Sequence, residues 1–154
     1  MCFFSGLLLQ AQEIQISRND KSFFKDQISF DLREDLSDGI YLVYYDSLKT
    51  RLELTATILN GKRSGAWTWY FETGTTKRII AYQNGLFNGE VKSFYPEGQI
   101  SANSIYEMGT ANGLAIRWFA NGVKKSEGVV LNGKPTGLWK YWKEDGSLLL
   151  EKQY

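Results

Sequence analysis

Glycine recurs in this chain at a fixed interval of 24 residues, in three separate series. Gly65, Gly89, Gly113 and Gly137 form one series, and Gly74, Gly98, Gly122 and Gly146 a second. Gly61, Gly85, Gly109 and Gly133 form the third, and together these positions take twelve of the 15 glycines. A period of this length is the mark of a repeat architecture, in which one supersecondary unit stacks on copies of itself. Aligned on the first series, the units read GAWTWYFETG, GEVKSFYPEG, GLAIRWFANG and GLWKYWKEDG. Five residues after the leading glycine comes an aromatic every time: Tyr70, Phe94, Trp118 or Trp142. An earlier, slipped unit begins at Gly39 and places Tyr44 at the same position. Its step to Gly65 is 26 residues, so the turn from Asp46 to Arg51 is expected to hold two extra.

Each unit resolves into two strands. The first, such as Ala66 to Glu72, is rich in the aromatic residues that suit a pleated, half-buried surface. It ends at Thr73-Gly74, Glu97-Gly98, Asn121-Gly122 or Asp145-Gly146, where a turn closed by a residue of positive φ calls for glycine. The second strand, such as Lys77 to Gln83 or Lys124 to Leu131, closes at Asn84-Gly85, Met108-Gly109 or Asn132-Gly133. An isolated hairpin is marginal in water, so each unit must lean on its neighbours. The expected fold is all-β: one domain, an elongated antiparallel meander of stacked hairpins. Four full units would give a sheet about 40 Å long, since strands lie about 4.8 Å apart. The repeats divide as 39–64, 65–88, 89–112, 113–136 and 137–154. An aromatic content of 15% with only 2 prolines fits many strands and tight turns.

Residues 13–38 lack the repeat and are expected to cap the open end of the stack, where unpaired edges need cover. Ile28, Phe30 and Leu32 alternate with polar residues there, which reads as one strand. Ahead of the cap, residues 1–12 carry an apolar run from Phe3 to Leu9, followed by Gln10-Ala11-Gln12. The pattern resembles the end of a secretory signal peptide cleaved near Ala11, so export to the periplasm or cell envelope is the expectation. A basic n-region is missing and Leu9 does not meet the small-residue rule. The alternative is an apolar first strand tucked against the repeats of a cytoplasmic protein. No other stretch approaches the roughly 18 apolar residues of a membrane-spanning helix.

The unit G-x-W-x-x-[YFW]-[YF]-x-x-G, followed by a second strand and N-G-x-x-x-G, resembles the bacterial MORN-repeat variant over Gly39 to Tyr154. The best matches run from Gly65-Ala66-Trp67 to Gly74 and from Gly137-Leu138-Trp139 to Gly146; Val91 and Ala115 replace the family tryptophan in the middle units. The resemblance implies a repeat sheet of hairpins. It also implies a protein-binding role, either like that of antitoxin components of toxin–antitoxin systems or as a scaffold at the cell envelope.

Side-chain chemistry narrows the function independently. The chain has no histidine, which removes the usual general base near neutral pH and the commonest metal ligand. Its one cysteine, Cys2, supports neither an internal disulfide nor a thiolate cluster. A net charge of +1 gives no long-range field to gather nucleic acid or an anionic membrane surface. Lys62-Arg63, Lys77-Arg78 and Lys124-Lys125 are scattered pairs balanced by acids, read as a solvated surface. Glu72, Glu97, Glu144 and Asp145 sit at or beside turns, where acidic residues serve solubility and local hydrogen bonding. No catalytic residue, cofactor site or metal site is assigned. The aromatic residues carry the functional reading. Tyr70, Phe94, Trp118 and Trp142 fill every unit and are expected to form the packed ladder of the sheet. Trp67, Trp69 and Trp139 vary between units and, with Tyr141, are the expected interaction surface. The expected function is a non-catalytic protein-interaction module; the alternative is a cell-envelope carbohydrate-binding protein using exposed tryptophans.

Overall fold

The structure, a computed structural model, describes residues 12–20, 23 and 35–154. The apolar run from Phe3 to Leu9 and the strand expected over Ile28, Phe30 and Leu32 lie outside the described residues. Eleven strands form one open sheet, laid side by side in chain order. They are β1 (Glu13–Ser17), β2 (Gly39–Tyr44), β3 (Leu52–Leu59), β4 (Lys62–Tyr70), β5 (Thr76–Gln83) and β6 (Leu86–Phe94), then β7 (Ile100–Glu107), β8 (Thr110–Trp118), β9 (Lys124–Leu131), β10 (Lys134–Trp142) and β11 (Leu148–Gln153). From β2 to β11 every neighbouring pair is antiparallel, as a meander requires. At about 4.8 Å per strand spacing, the stack runs roughly 48 Å from β1 to β11.

One strand departs from the antiparallel rule. β1 runs parallel to β2, with Glu13 facing Ile40 and Ser17 facing Tyr44. Parallel neighbours cannot be joined by a tight turn and need a dozen or more connecting residues. Residues 18–38 are long enough to supply them. β1 thereby pairs the edge of β2 that an unaided stack would leave open.

Two turn types alternate along the chain. Asn60-Gly61, Asn84-Gly85, Met108-Gly109 and Asn132-Gly133 all place both residues at positive φ, 45–53° for the first and 67–88° for the second. That combination is the type I′ hairpin turn, whose twist matches the strands it joins. The other turn is built on Phe71, whose N–H donates to the Thr75 carbonyl while Gly74 N–H donates back to Phe71. Tyr95, Phe119 and Lys143 repeat the arrangement one, two and three periods later. In the first unit Tyr45 N–H reaches Arg51 instead, two residues further along. The Asp46 carboxylate accepts the N–H groups of Thr50 and Arg51 across this longer turn, and Lys49, at φ 57°, takes the left-handed position.

Gly65, Gly89, Gly113 and Gly137 sit inside strands, at bulges. Between Thr57↔Ser64 and Thr55↔Thr68, a single residue of β3, Ala56, faces three residues of β4. The same excess recurs in β6, β8 and β10. Each of these glycines lies at positive φ, which a β-carbon would oppose.

The packed core occupies one face and the early part of the sheet. Ile16, Tyr41, Val43, Leu54, Ala56, Ile58, Trp67, Ile80, Tyr82 and Val91 are its buried members, so all lie at or before Val91. Phe23 and Leu36, from the connection between β1 and β2, pack against it. Beyond Val91, Ser126 and Gly128 are the buried residues among those described. The later units therefore form a thin layer with both faces near solvent.

Met108 is the outlier among the type I′ turns, a long side chain at φ 45° where the other three carry asparagine. An L-residue outside the glycine and asparagine class costs about 1 kcal/mol or more in this conformation. Met108→Asn is expected to stabilise the protein by about 0.5–1 kcal/mol, read as a higher urea midpoint at unchanged slope. A lower midpoint would contradict the turn assignment.

Candidate functional site

Where the leading segment of a unit carries tryptophan, the bulge has a second role. Trp67 falls within the three-residue excess of β4, and its partner across the next strand is Ile80. Its indole N–H donates to the Thr57 carbonyl at 3.0 Å, so the ring lies back across β3. Trp139 repeats this three periods later, donating to the Val129 carbonyl at 3.1 Å. The residue eleven positions before each tryptophan is small: Ala56 before Trp67 and Gly128 before Trp139. A β-carbon at Gly128 would stand 2.2 Å from the Trp139 ring, so that site admits glycine alone. The middle units solve the same problem differently. Val91 pairs directly with Ile80, and Ala115 with Ser104. Their bulge glycines open to φ 111° and 134°, against 67° and 65° at Gly65 and Gly137. The chain thus holds two kinds of unit, distinguished by whether an indole crosses the preceding strand.

This packing corrects the assignment of Trp67 to an interaction surface. The residue is 0% exposed and is among the largest fully buried side chains. Arg63 lies over its ring at 5.1 Å, and Tyr82 and Trp69 flank it at 5.0 and 6.0 Å. Variation at this position between units reflects the room beneath the ring, not exposure to a partner. The expected packed ladder is corrected as well. Tyr70, Phe94, Trp118 and Trp142 are half-buried, and by strand alternation Tyr70 stands on the face opposite Trp67 and Trp69. The deep core lies on the other side.

Trp139, Tyr141 and Trp69 remain partly exposed. Trp139 and Tyr141 lie with ring centres 6.2 Å apart and planes tilted by 28°, a near-parallel pair. Tyr154 meets Trp139 edge-on at 6.1 Å, and its hydroxyl lies 3.2 Å from that of Tyr141. Lys152 Nζ sits 4.2 Å from the Tyr154 ring centre. The hydrogen bond between the two phenols raises Tyr141 above the usual tyrosine range and lowers Tyr154, with Lys152 adding to the second effect. Sequence reading placed Trp139 and Tyr141 together but missed Tyr154. The signal was available, because Tyr154 stands three periods after Tyr82.

The turn acids Glu72, Glu97, Glu144 and Asp145 are exposed and distributed over three turns along the sheet. A different carboxylate, Glu53 on β3, is the unusual one. Burial raises its pKa above the usual range, partly opposed by Arg18 at 3.6 Å, and its Oε2 has no hydrogen-bond partner. Alternation hid it, since Glu53 reads as a solvent-facing strand residue until Arg18 folds over it. No group of three metal-binding side chains occurs among the described residues.

Residues 63–84 and 87–107 match the MORN repeat variant family. Each MORN-variant match spans one hairpin, β4–β5 or β6–β7, from two residues before the bulge glycine to the end of the second strand. One match contains the crossing indole of Trp67 and the other contains Val91 in its place, so both kinds of unit fall within the MORN-variant pattern. No curated protein matches the chain.

The close fit of Trp139 over Gly128 yields a double-mutant test. Gly128→Ala is expected to cost about 1–3 kcal/mol by overpacking, and most of that cost should vanish when Trp139→Ala is also present. Urea unfolding of the four proteins measures the coupling. Equal cost in both backgrounds would contradict the contact.

Proposed function

We propose that the chain is a non-catalytic protein-interaction module assembled from MORN-variant repeats. MORN repeats commonly mediate protein or membrane interactions. The observation that carries the reading is the half-exposed aromatic group of Trp139, Tyr141 and Tyr154 on a thin sheet. Aromatic side chains that keep a rigid, partly solvated ring are the usual anchors of protein interfaces. Within this reading, neutralisation of a toxin or a scaffold role at the cell envelope are the two settings we favour. The test is crosslinking of the full chain in its native host, followed by calorimetry with the purified partner. Saturable binding of one crosslinked protein is expected. Turnover of a substrate that one carboxylate substitution abolishes without unfolding would overturn the reading.

A second reading, carbohydrate binding, is favoured by one geometric fact. The near-parallel Trp139 and Tyr141 rings present the kind of flat apolar surface on which a sugar ring stacks. A flat tryptophan-fluorescence titration across a glycan panel removes it.

A further inference from the structure

The core face contains the same three-ring cluster twice. Trp67, Trp69 and Tyr82 form the first; Trp139, Tyr141 and Tyr154 stand three periods later at the equivalent positions. In each, the indole binds the carbonyl ten residues back, Thr57 in one and Val129 in the other. The tryptophan pairs with its near neighbour at similar spacing, 6.0 Å for Trp67–Trp69 and 6.2 Å for Trp139–Tyr141, while the tyrosine lies closer in the first cluster, 5.0 Å against 6.1 Å. The two clusters differ in cover. The first belongs to the core against which Phe23 and Leu36 pack. The second is open, with Tyr154 46% exposed and Leu150, which pairs with Tyr141, 44% exposed.

Cations flank both clusters: Arg63 lies over the Trp67 and Tyr82 rings and Arg78 pairs with Trp69 in the first, and the second has two of its own. Arg117, Ser126, Tyr141 and Leu150 are cross-strand neighbours in one row, and Lys152 faces Trp139 in the next. The neighbouring acids turn to the other face, where Glu127 pairs with Lys124 at 2.8 Å and Glu151 with Lys140 at 3.1 Å. Arg117 and Lys152 are left without a carboxylate partner among the described residues. The open cluster is therefore apolar in its floor and cationic at its rim. The connection that contributes Phe23 and Leu36 to the first core is net acidic in sequence, with Asp20, Asp26, Asp31, Glu34, Asp35 and Asp38 against Arg18, Lys21, Lys25 and Arg33.

We propose that Trp139, Tyr141 and Tyr154 dock a short acidic segment of a partner protein, which packs an aromatic and an aliphatic side chain against these rings as Phe23 and Leu36 pack against the core. The proposal rests on the protein-interaction reading and names the surface and the chemistry of what it takes. Aromatic anchors in the floor supply affinity, and Arg117 and Lys152 at the rim select an anionic partner and speed its arrival.

The probe is a fluorescently labelled synthetic peptide with the sequence of residues 18–38, titrated into the full-length protein and followed by anisotropy. Saturable, salt-sensitive binding is expected. Tyr154→Ala and Lys152→Glu should each weaken it at least tenfold; both sites are exposed, so the fold is retained, and Leu149→Ala on the opposite face should leave it unchanged. A peptide with serine in place of its phenylalanines and leucines should not bind. Absence of saturable binding, or binding indifferent to both Tyr154→Ala and Lys152→Glu, would overturn the proposal. Dimerisation of the protein lost on Tyr154→Ala would overturn it in favour of a second copy as occupant. A glycan showing the same variant pattern would overturn it in favour of a sugar. If a crosslinked partner binds normally to both variants, this surface is wrong while the interaction reading stands.

Discussion

An indole laid across a neighbouring strand needs room beneath it and a backbone that lets it fold back. Both conditions are met twice in this sheet. Ala56 and Gly128 leave the room, and Gly65 and Gly137 supply the bulge that frees Trp67 and Trp139 from direct pairing with the preceding strand. The indole N–H then finds a strand carbonyl, so a buried polar group is satisfied rather than stranded. Burial of a tryptophan of this kind stabilises by about 3–5 kcal/mol relative to alanine, a large share of the margin of a small domain. The early units are consequently solid, while the later ones hold together by sheet hydrogen bonds and half-buried rings.

Much of this was legible in the sequence. The 24-residue glycine period, the alternating turn types and the two extra residues near Asp46 all follow from turn chemistry, which is local and strict about φ. The depth of each ring was not legible. Aromatic residues occupy both faces of the strands, and a period of two cannot say which face is covered. Trp67 and Trp139 share the same local motif yet differ in exposure: Trp67 belongs to the buried core against which the remote residues Phe23 and Leu36 pack, and Trp139 does not. The small residue eleven positions earlier was the missed clue, since it lies in the preceding unit and has no meaning until the strands are paired. The parallel pairing of β1 was equally out of reach, as a long connection fixes neither direction nor register.

Repetition with variation is what links this architecture to its proposed role. A unit need only change one pair of residues, at the crossing ring and beneath it, to pass from one packing to the other. Such a change alters what the sheet shows to solvent without altering the stack. In the unit of β4 the crossing ring is sealed into the core; at β10 the equivalent ring is partly exposed, with Lys152 opposite it and Arg117 in the neighbouring row of Tyr141. Structure and recognition thus draw on one motif, and the cover over the motif decides which it serves.

The most direct measurement of that idea is hydrogen exchange at the indole nitrogens in the native protein. The Trp67 indole proton should exchange only through global unfolding, at least tenfold more slowly than that of Trp139, whose ring opens with local fluctuation of the later strands. Equal exchange at the two indoles, or rapid exchange at Trp67, would contradict a sealed ring in one unit and an open one in the other.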